Sequence, residues 1–337
     1  MLVPMHLPSR DSAAASGSTP HRLRLAILDD YQSVATNVAD WSPLTGRVDV
    51  VAFTDHLDND DRLVERLAPF DIVVAMRERT AFDRGVLHRL PALRLLVTTG
   101  MRNKAIDLSA AAELGITVSG TDLVGSSTVE LTWALIMAVV RDLPGEDRRT
   151  RAGQWQRTLP PDLEGSTIGI LGLGRLGTRI AALAQAFGMH VVAWSENLTA
   201  AAAAEHGAER VNKADLFRRS HIVSIHTLLS HRTRGLVGAA ELALLGPEGY
   251  LVNTSRGPIV QERALIAALN DGTIAGAALD VFDIEPLPAG HPLLSTPRTI
   301  LSPHVGFVSR RSYQLAYGQA VGNVVGWLSG TTPRVLA

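Results

Sequence analysis

A glycine-rich segment near the middle of the chain limits the possible fold most strongly. Residues 167–177 read TIGILGLGRLG, a short β-branched run followed by three glycines, and a helix-like stretch comes next. The pattern predicts a strand, a tight turn and a helix start: Gly172 permits the turn, Gly174 lets backbone N–H groups approach a pyrophosphate, and Gly177 permits close helix–strand packing. A pyrophosphate bound here would lie at the positive end of the helix. Because a lone GxGxxG has low specificity, the rest of the chain must support this interpretation.

The composition favours a globular protein with a small-molecule partner. The chain has 337 residues, of which 46% are hydrophobic and 19% are charged, and its net charge is −1. This length predicts about two domains, and the charge gives no electrostatic footprint for nucleic acid or an anionic membrane. The chain contains no cysteine, which excludes disulfides, thiolate metal ligands and a thiol nucleophile and fits a cytoplasmic location. No metal is expected.

Neither a membrane span nor a secretory signal is predicted. The longest apolar runs, such as 134–140, are far shorter than the roughly 20 residues that span a bilayer. Residues 1–20 lack a cationic start with an apolar core. We expect them to form a disordered tail.

Short apolar strands alternate with helical segments, which predicts parallel sheets covered by helices on both faces. A first unit spans 21–122. In a second unit, 123–304, six short strands with helices between them predict a Rossmann-like doubly wound sheet around the glycine turn. The segment 305–337 is helical and is expected to cross back to the first unit. We therefore expect two α/β domains with a cleft between them.

Two segments before the glycine turn suggest association. The segment 126–141 is almost wholly apolar, so the helix it predicts must be buried on most sides, as a connecting strut or in a subunit interface. The segment 142–165 is polar, with four arginines, one tryptophan and a proline pair. It predicts an extended arm.

Three side chains suited to one reaction follow predicted strands of the second unit. Arg256, Glu285 and His304 each come shortly after a short apolar run. Because the carboxyl ends of parallel strands lie at the same edge of a sheet, we expect the three side chains to converge.

Hydride transfer between a nicotinamide and a hydroxyl-bearing carbon fits this set. The reaction needs an acid–base group, and His304 is the candidate because histidine has an unperturbed pKa of about 6.5. Glu285 could fix the imidazole tautomer and favour the imidazolium, and Arg256 could bind a carboxylate and polarise a carbonyl. The alternative is a structural Arg–Glu pair and a capped loop histidine. The occurrence of all three at strand ends favours the catalytic interpretation.

In four motifs the chain resembles the D-isomer-specific 2-hydroxyacid dehydrogenases. The motifs are GLGRLG at 172–177, VNTSRG at 252–257, ALDVFDIEP at 278–286 and SPHVG at 302–306. The resemblance extends over about residues 70–310 and implies that the matching residues Arg256, Glu285 and His304 are catalytic. It further implies a homodimer that associates through the cofactor domain.

The resemblance also assigns the domains. It implies a flavodoxin-like substrate domain formed by 21–122 and 305–337, and an NAD-binding Rossmann domain over 123–304. Asp280 is expected to hold the nicotinamide carboxamide, and Thr128 to approach the nicotinamide end. The full cofactor-binding set is Thr128, Gly172, Gly174, Arg175, Leu176, Gly177, Ser195, Glu196, Thr227, Thr254, Asp280 and Gly306.

Substrate contacts are expected from the first unit. The resemblance implies that Thr99, Gly100 and Met101 contact the substrate carboxylate. Arg79 follows another predicted strand, where it either meets a second anionic group of the substrate or is simply solvated.

Two positions depart from the family pattern. Leu228 stands where most members have proline, and Ser195 followed by Glu196 stands where an aspartate usually meets the adenosine ribose. We expect NAD rather than NADP, because a carboxylate at Glu196 would repel a 2′-phosphate and no arginine or lysine occurs in 195–199. If Glu196 points away, NADP is possible.

The predicted function is reversible NAD(P)-dependent hydride transfer between a 2-keto acid and the D-2-hydroxy acid. The alternative is a dinucleotide-sensing, corepressor-like interaction protein of the same fold. The enzyme is favoured because residues 1–20 are the only extra segment on which partner binding could depend. The sequence does not specify which acid is the substrate.

Overall fold

The computed structural model describes residues 22–337, so the disordered tail predicted over 1–20 lies outside the described residues. The described chain forms two compact units. The first unit extends to Thr121 and includes Tyr317–Ala337, and the second unit is Asp122–Ala316. This division leaves 305–316 in the second unit, whereas the sequence predicts that segment to belong with the first.

The first unit is built on a five-stranded sheet in the order β2-β1-β3-β4-β5, and all its strand pairs are parallel. This is the strand order of flavodoxin-like domains, as predicted. The strands are β1 (Leu23–Ile27), β2 (Val48–Ala52), β3 (Ile72–Ala75), β4 (Leu95–Thr98) and β5 (Thr117–Gly120). The helices are α1 (Ala35–Val38), α2 (Asp60–Leu67), α3 (Arg84–His88) and α4 (Leu108–Glu113).

Apolar strands and capped helices explain this sheet. Every residue of β3 and β4 is buried, as expected for central parallel strands covered on both faces. Side-chain oxygens of Asn59, Asp83 and Asp107 accept hydrogen bonds from the first turns of α2, α3 and α4, and such caps satisfy otherwise unpaired N–H groups. Helices α2, α3 and α4 therefore each begin directly after a residue type that is favoured at helix N-caps.

The second unit is built on a seven-stranded parallel sheet in the order β12-β11-β10-β9-β6-β7-β8. The strand order reverses at β6, which places the switch point of a doubly wound sheet between β6 and β9. The predicted Rossmann-like architecture is therefore confirmed. The strands are β6 (Thr167–Leu171), β7 (His190–Trp194), β8 (Glu209–Arg210), β9 (Ile222–Ile225), β10 (Tyr250–Asn253), β11 (Gly276–Leu279) and β12 (Thr299–Leu301).

Helices cover both faces of this second sheet. The helices of this unit are α5 (Ser126–Val140), α6 (Leu143–Arg151), α7 (Gly177–Ala186), α8 (Ala200–Ala204), α9 (Lys213–Arg219), α10 (Ala239–Leu245) and α11 (Glu262–Asp271), and α12 (Arg310–Leu328) follows them in the chain. Helix α12 begins in the second unit and ends in the first. The strand β8 was not predicted because its two residues are polar and exposed.

The prediction of an extended arm over 142–165 is wrong for its first part, which forms α6. Arg149 explains the helix, because its guanidinium lies 2.6 Å from the Asp142 carboxylate and 2.8 Å from that of Glu146. The Glu146–Arg149 pair has the three-residue spacing that stabilises a helix, and the other pair joins the N-cap residue Asp142 to the last turn. Residues 152–166 contain no helix or strand.

Among residues 22–337, no helix combines the length and apolar character that would be needed to cross a membrane.

Candidate active site

The segment after β10 presents Arg256 at the carboxyl edge of the second sheet. Asn253, the last strand residue, donates its amide to the Arg256 carbonyl at 3.0 Å and accepts from the Ser255 N–H at 3.0 Å. A Cβ at Gly257 would overlap the backbone of Phe282, so the segments after β10 and β11 are in close contact. Glycine at this position thus brings Arg256 beside the segment that contains Glu285.

His304 and Glu285 form a hydrogen-bonded pair. The distance from His304 Nδ1 to Glu285 Oε2 is 2.5 Å, and both side chains are mostly buried. Glu285 Oε1 accepts from the Phe282 N–H at 2.8 Å, so both carboxylate oxygens are fixed. The other imidazole nitrogen, Nε2, is then oriented by the pair in the way that carboxylates orient acid–base histidines.

Asp280 holds the loop that presents His304. Its Oδ1 accepts from Ser302 Oγ at 2.5 Å and from the Val305 N–H at 2.9 Å, and its Oδ2 accepts from the Gly306 N–H at 2.8 Å. Burial raises the pKa of the Asp280 carboxyl, and the three donors oppose that rise. This internal role was not predicted from the sequence.

Backbone strain at His304 shows why the loop needs these bonds. The residue has φ of +52°, a left-handed conformation that non-glycine residues adopt at a cost of order 1–3 kcal/mol. Asp280 bonds the residues on both sides of it, Ser302 and Val305. The bonds to Asp280 therefore hold His304 in its orientation toward Glu285.

The glycine turn has the geometry that a bound pyrophosphate requires. Gly172 has φ of +102°, and a Cβ there would lie 2.8 Å from the His226 carbonyl carbon. A Cβ at Gly174 would meet no atom within 4 Å, which leaves room for a ligand. Within the described structure no side chain caps the first turn of α7, whose N-cap is Leu176. The turn therefore fits a dinucleotide phosphate.

A neutral histidine lies beside this turn. Desolvation lowers the pKa of His226 to about 4, and its Nε2 lies 2.8 Å from Ser224 Oγ. The next residue, Thr227, accepts from Ser255 Oγ at 2.5 Å through its carbonyl. The loop is thereby tied to the Arg256 segment, although Leu228, the departure from the family pattern, is 75% exposed.

The remaining predicted cofactor residues differ in their surroundings. Thr254 is buried, and its hydroxyl lies 2.8 Å from that of Thr132 in α5, so it is engaged within the protein. A Cβ on Gly306 would lie 3.4 Å from Thr128 Cγ2, which places these two predicted residues side by side. The Arg175 guanidinium lies against Gly125.

Sequence reasoning missed a cation beside the segment that is expected to meet the adenosine ribose. Ser195 is half-buried and Glu196 is exposed just beyond β7. Arg210 in β8 donates its Nε to the Leu198 carbonyl at 2.8 Å, so a guanidinium does contact the segment 195–199. Arg210 lies outside 195–199, so that segment alone does not reveal it. The pairing of β8 with β7 brings Arg210 beside the segment.

The predicted substrate residues lie at the carboxyl edge of the first sheet. Thr99 is buried, and its hydroxyl accepts from the Arg77 N–H at 2.9 Å. Gly100 has φ of +108° and donates its N–H to Thr121 Oγ1 at 3.1 Å, while Met101 is partly exposed. Arg79 follows β3 at the same edge.

Comparisons with known proteins agree with this geometry. Residues 133–306 match the family model described as D-isomer specific 2-hydroxyacid dehydrogenase, NAD binding domain. A glyoxylate reductase of Aeropyrum pernix is 39% identical over 261 residues, which are 74% of this chain and 78% of that protein. A D-3-phosphoglycerate dehydrogenase of Methanocaldococcus jannaschii is 33% identical over 269 residues, 79% of this chain and 51% of that protein.

A solved structure gives the same result. The phosphoglycerate oxidoreductase of Vibrio cholerae superposes with a TM-score of 0.86 at 36% identity, covering 91% of this chain and 99% of that chain. The chain belongs to the D-isomer-specific 2-hydroxyacid dehydrogenase family. The predicted reaction class, NAD(P)-dependent oxidoreduction of 2-keto and 2-hydroxy acids, is confirmed.

Two glycines of the turn provide a matched test of the nucleotide site. In Gly177→Ala the new Cβ would overlap the Gly172 carbonyl oxygen, and overpacking of this kind should lower the free energy of unfolding by roughly 1–3 kcal/mol. In Gly174→Ala the methyl group meets no protein atom, so we expect a change within about 0.5 kcal/mol but weaker NAD binding. Urea denaturation and calorimetric titration with NAD measure the two effects. Undiminished NAD affinity in Gly174→Ala would show that the pyrophosphate does not approach that residue.

Proposed function

We propose that the protein reduces a small 2-keto acid to the D-2-hydroxy acid, with Arg256, Glu285 and His304 as its catalytic residues. The observation that most supports this proposal is the hydrogen bond of 2.5 Å between His304 Nδ1 and Glu285 Oε2 at the edge of the nucleotide-binding sheet. The glyoxylate reductase of Aeropyrum pernix supports a small acid such as glyoxylate.

Each catalytic residue has one task in this mechanism. The Arg256 guanidinium binds the substrate carboxylate and polarises the neighbouring carbonyl. A bound NAD(P)H supplies the hydride. His304 donates the proton from Nε2 to the carbonyl oxygen, and the Glu285 carboxylate stabilises the imidazolium before that donation. The proton moves back to His304 in the oxidative direction.

The proposed cofactor contacts follow the edge of the second sheet from the glycine turn to β12. The backbone of 172–177 and the start of α7 hold the pyrophosphate. Ser195 and Glu196 receive the adenosine ribose. Thr128 and Asp280 would contact the nicotinamide end, and Thr227, Thr254 and Gly306 would contribute further cofactor contacts.

A homodimer and a cytoplasmic location also belong to this proposal. Large apolar side chains next to α6 support association, because Trp155 is 73% exposed and Leu159 is 99% exposed. Exposed apolar groups clustered in one segment are typical of a surface that a partner covers. The substrate contacts of Arg79, Thr99, Gly100 and Met101 stay predictions as well.

Replacement of His304 tests proton donation. We expect His304→Ala to lower kcat by roughly 10²- to 10⁴-fold, the usual contribution of a positioned acid–base group. NAD affinity should stay nearly intact because the pyrophosphate contacts lie at the glycine turn. Steady-state reduction of glyoxylate and calorimetric titration with NAD measure the two effects. An undiminished kcat would exclude His304 as the proton donor.

Replacement of Glu285 tests the electrostatic part of the mechanism. Glu285→Gln keeps an oxygen that can accept from the Phe282 N–H but removes the charge beside His304. The alkaline limb of kcat/KM for reduction should therefore move to lower pH, because the imidazolium loses its stabilising carboxylate. A pH profile of kcat/KM with glyoxylate measures the shift. If the limb stays in place, Glu285 has no electrostatic coupling to the donor.

Cofactor preference depends on Glu196 and Arg210. We expect a higher kcat/KM with NADH than with NADPH, because the Glu196 carboxylate repels a 2′-phosphate. Glu196→Gln should reduce that preference, and Arg210→Gln should lower kcat/KM with NADPH more than with NADH. Parallel assays of the three proteins with both cofactors measure these ratios. A wild-type protein that uses NADPH equally well or better would contradict the assignment.

A further inference from the structure

A second carboxylate–histidine pair lies in the first unit. Asp29, just beyond β1, accepts at Oδ1 from His56 Nδ1 over 2.8 Å and at Oδ2 from Thr80 Oγ1 over 2.8 Å. Its backbone carbonyl accepts from the Arg79 guanidinium at 3.1 Å. His56 follows β2, and Arg79 and Thr80 follow β3, so one residue joins the segments beyond three neighbouring strands.

Asp29 has an energetically unfavourable environment and an unfavourable backbone conformation. The residue is 1% exposed and has φ of +56°, so it combines a buried carboxylate with a left-handed backbone. Both features cost free energy unless the surroundings compensate. The hydrogen bonds of Asp29 with His56, Thr80 and Arg79 supply this compensation. The same bonds fix the positions of these three residues relative to one another.

Protonated His56 supplies the charge that the Asp29 carboxylate needs. The hydrogen bond with Asp29 raises the pKa of His56, while partial burial and the Arg79 charge oppose the rise and Asp58 supports it. Asp29, Asp58 and Arg79 are the charged groups that act on this imidazole. A buried carboxylate left with neutral donors alone is poorly compensated.

The pair fixes the arginine that the sequence predicts to meet the substrate. The Arg79 guanidinium lies 4.6 Å from the centre of the Tyr31 ring, in addition to its bond to the Asp29 carbonyl. The preceding Arg77 has φ of +54°, and its N–H donates to Thr99 Oγ1. The segment 76–80 is thereby held between Asp29 and Thr99, another predicted substrate residue.

We propose that Asp29 and His56 are positioning residues that hold Arg79 for an anionic substrate, and that this positioning is lost at alkaline pH. The inference rests on the proposed function, since it requires a 2-keto acid substrate with a second anionic group for Arg79, in addition to the carboxylate that Arg256 binds. Arg79 then contributes to substrate affinity, and proton transfer remains with His304 and Glu285.

The direction of the pH effect follows from the charge on His56. Because its pKa is raised in the folded protein, the stabilising pair is complete below about pH 6.5 and is lost as pH rises through the raised pKa. Loss of the imidazolium leaves the Asp29 carboxylate poorly compensated. The segment 76–80 should then become looser, and the KM for a 2-keto acid should rise.

The kinetic test compares His56→Gln with the wild type. Glutamine keeps a donor for Asp29 but has no charge. We expect the variant-to-wild-type ratio of KM for 2-oxoglutarate, a 2-keto acid with a second carboxylate, to be roughly fivefold to tenfold at about pH 6 and close to one at about pH 9, while the ratio of kcat stays within about twofold. His88→Gln, at an exposed position in α3, is the matched control and should give ratios near one. Taking ratios removes the pH dependence that both proteins share through His304.

Two results would overturn the inference. A KM ratio that is the same at both pH values would show that the charge on His56 has no part in substrate binding. A change in kcat without a change in KM would place His56 in the chemical step instead.

Hydrogen exchange gives a readout that does not need catalysis. In the wild type, exchange protection of the amides in 76–80, corrected for intrinsic rates, should fall by roughly threefold or more between about pH 6 and about pH 9. In His56→Gln the protection should be equally low at both pH values.

If no 2-keto acid is reduced by the wild type but this protection pattern holds, the proposed function fails and the Asp29–His56 coupling stands. Equal protection in both proteins at both pH values would refute the coupling. Asp29→Asn, which keeps the size of the side chain, should reproduce the loss if His56→Gln does not fold.

Discussion

The Asp280 carboxylate is the interaction on which the candidate active site depends. It lies at the end of β11 and accepts hydrogen bonds from Ser302, Val305 and Gly306, so it fixes the loop after β12 to the neighbouring strand. His304 occupies a left-handed conformation within this loop, and such a conformation persists only where the surroundings determine it. Within the same loop, the His304 N–H donates to the Ser302 carbonyl at 3.0 Å, and the His304 ring packs edge-on against Phe307. The buried Asp280 carboxylate, one strand away, therefore stabilises the loop that presents the acid–base histidine.

Sheet topology places the other parts of the site. Because β10, β11 and β12 are adjacent and parallel, Arg256, Glu285 and His304 come from neighbouring strand ends. The order reverses at β6, so the glycine turn and the loop after β9 diverge at the switch point, where α/β sheets bind ligands. Each unit also has a histidine that is oriented through Nδ1 by a carboxylate. The Glu285 side chain is 28% exposed and that of Asp29 is 1% exposed, which suits the His304 pair to proton transfer with a substrate and the His56 pair to positioning.

The sequence was sufficient for features that depend on local pattern. Glycine spacing, apolar strands and the residues just after them predicted both sheets and the pairing of Glu285 with His304. Features that depend on distant contacts were not predictable: β8 is two exposed residues whose pairing with β7 alone defines it. Two further contacts form only because separate strands are neighbours in the sheets. Arg210 contacts the segment after β7, and Asp29 forms hydrogen bonds with His56 and Thr80. No spacing in the sequence indicates those contacts.

A crystal structure of the protein with NADH and oxamate, a non-reducible analogue of a 2-keto acid, tests the central claim most directly. If the edge of the second sheet is the site of hydride transfer, the Arg256 guanidinium will bind the oxamate carboxylate. His304 Nε2 will lie within hydrogen-bonding distance of the amide carbonyl oxygen, with its Nδ1 still bonded to Glu285. Oxamate bound away from both Arg256 and His304, with NADH in place on the glycine turn, would contradict the account.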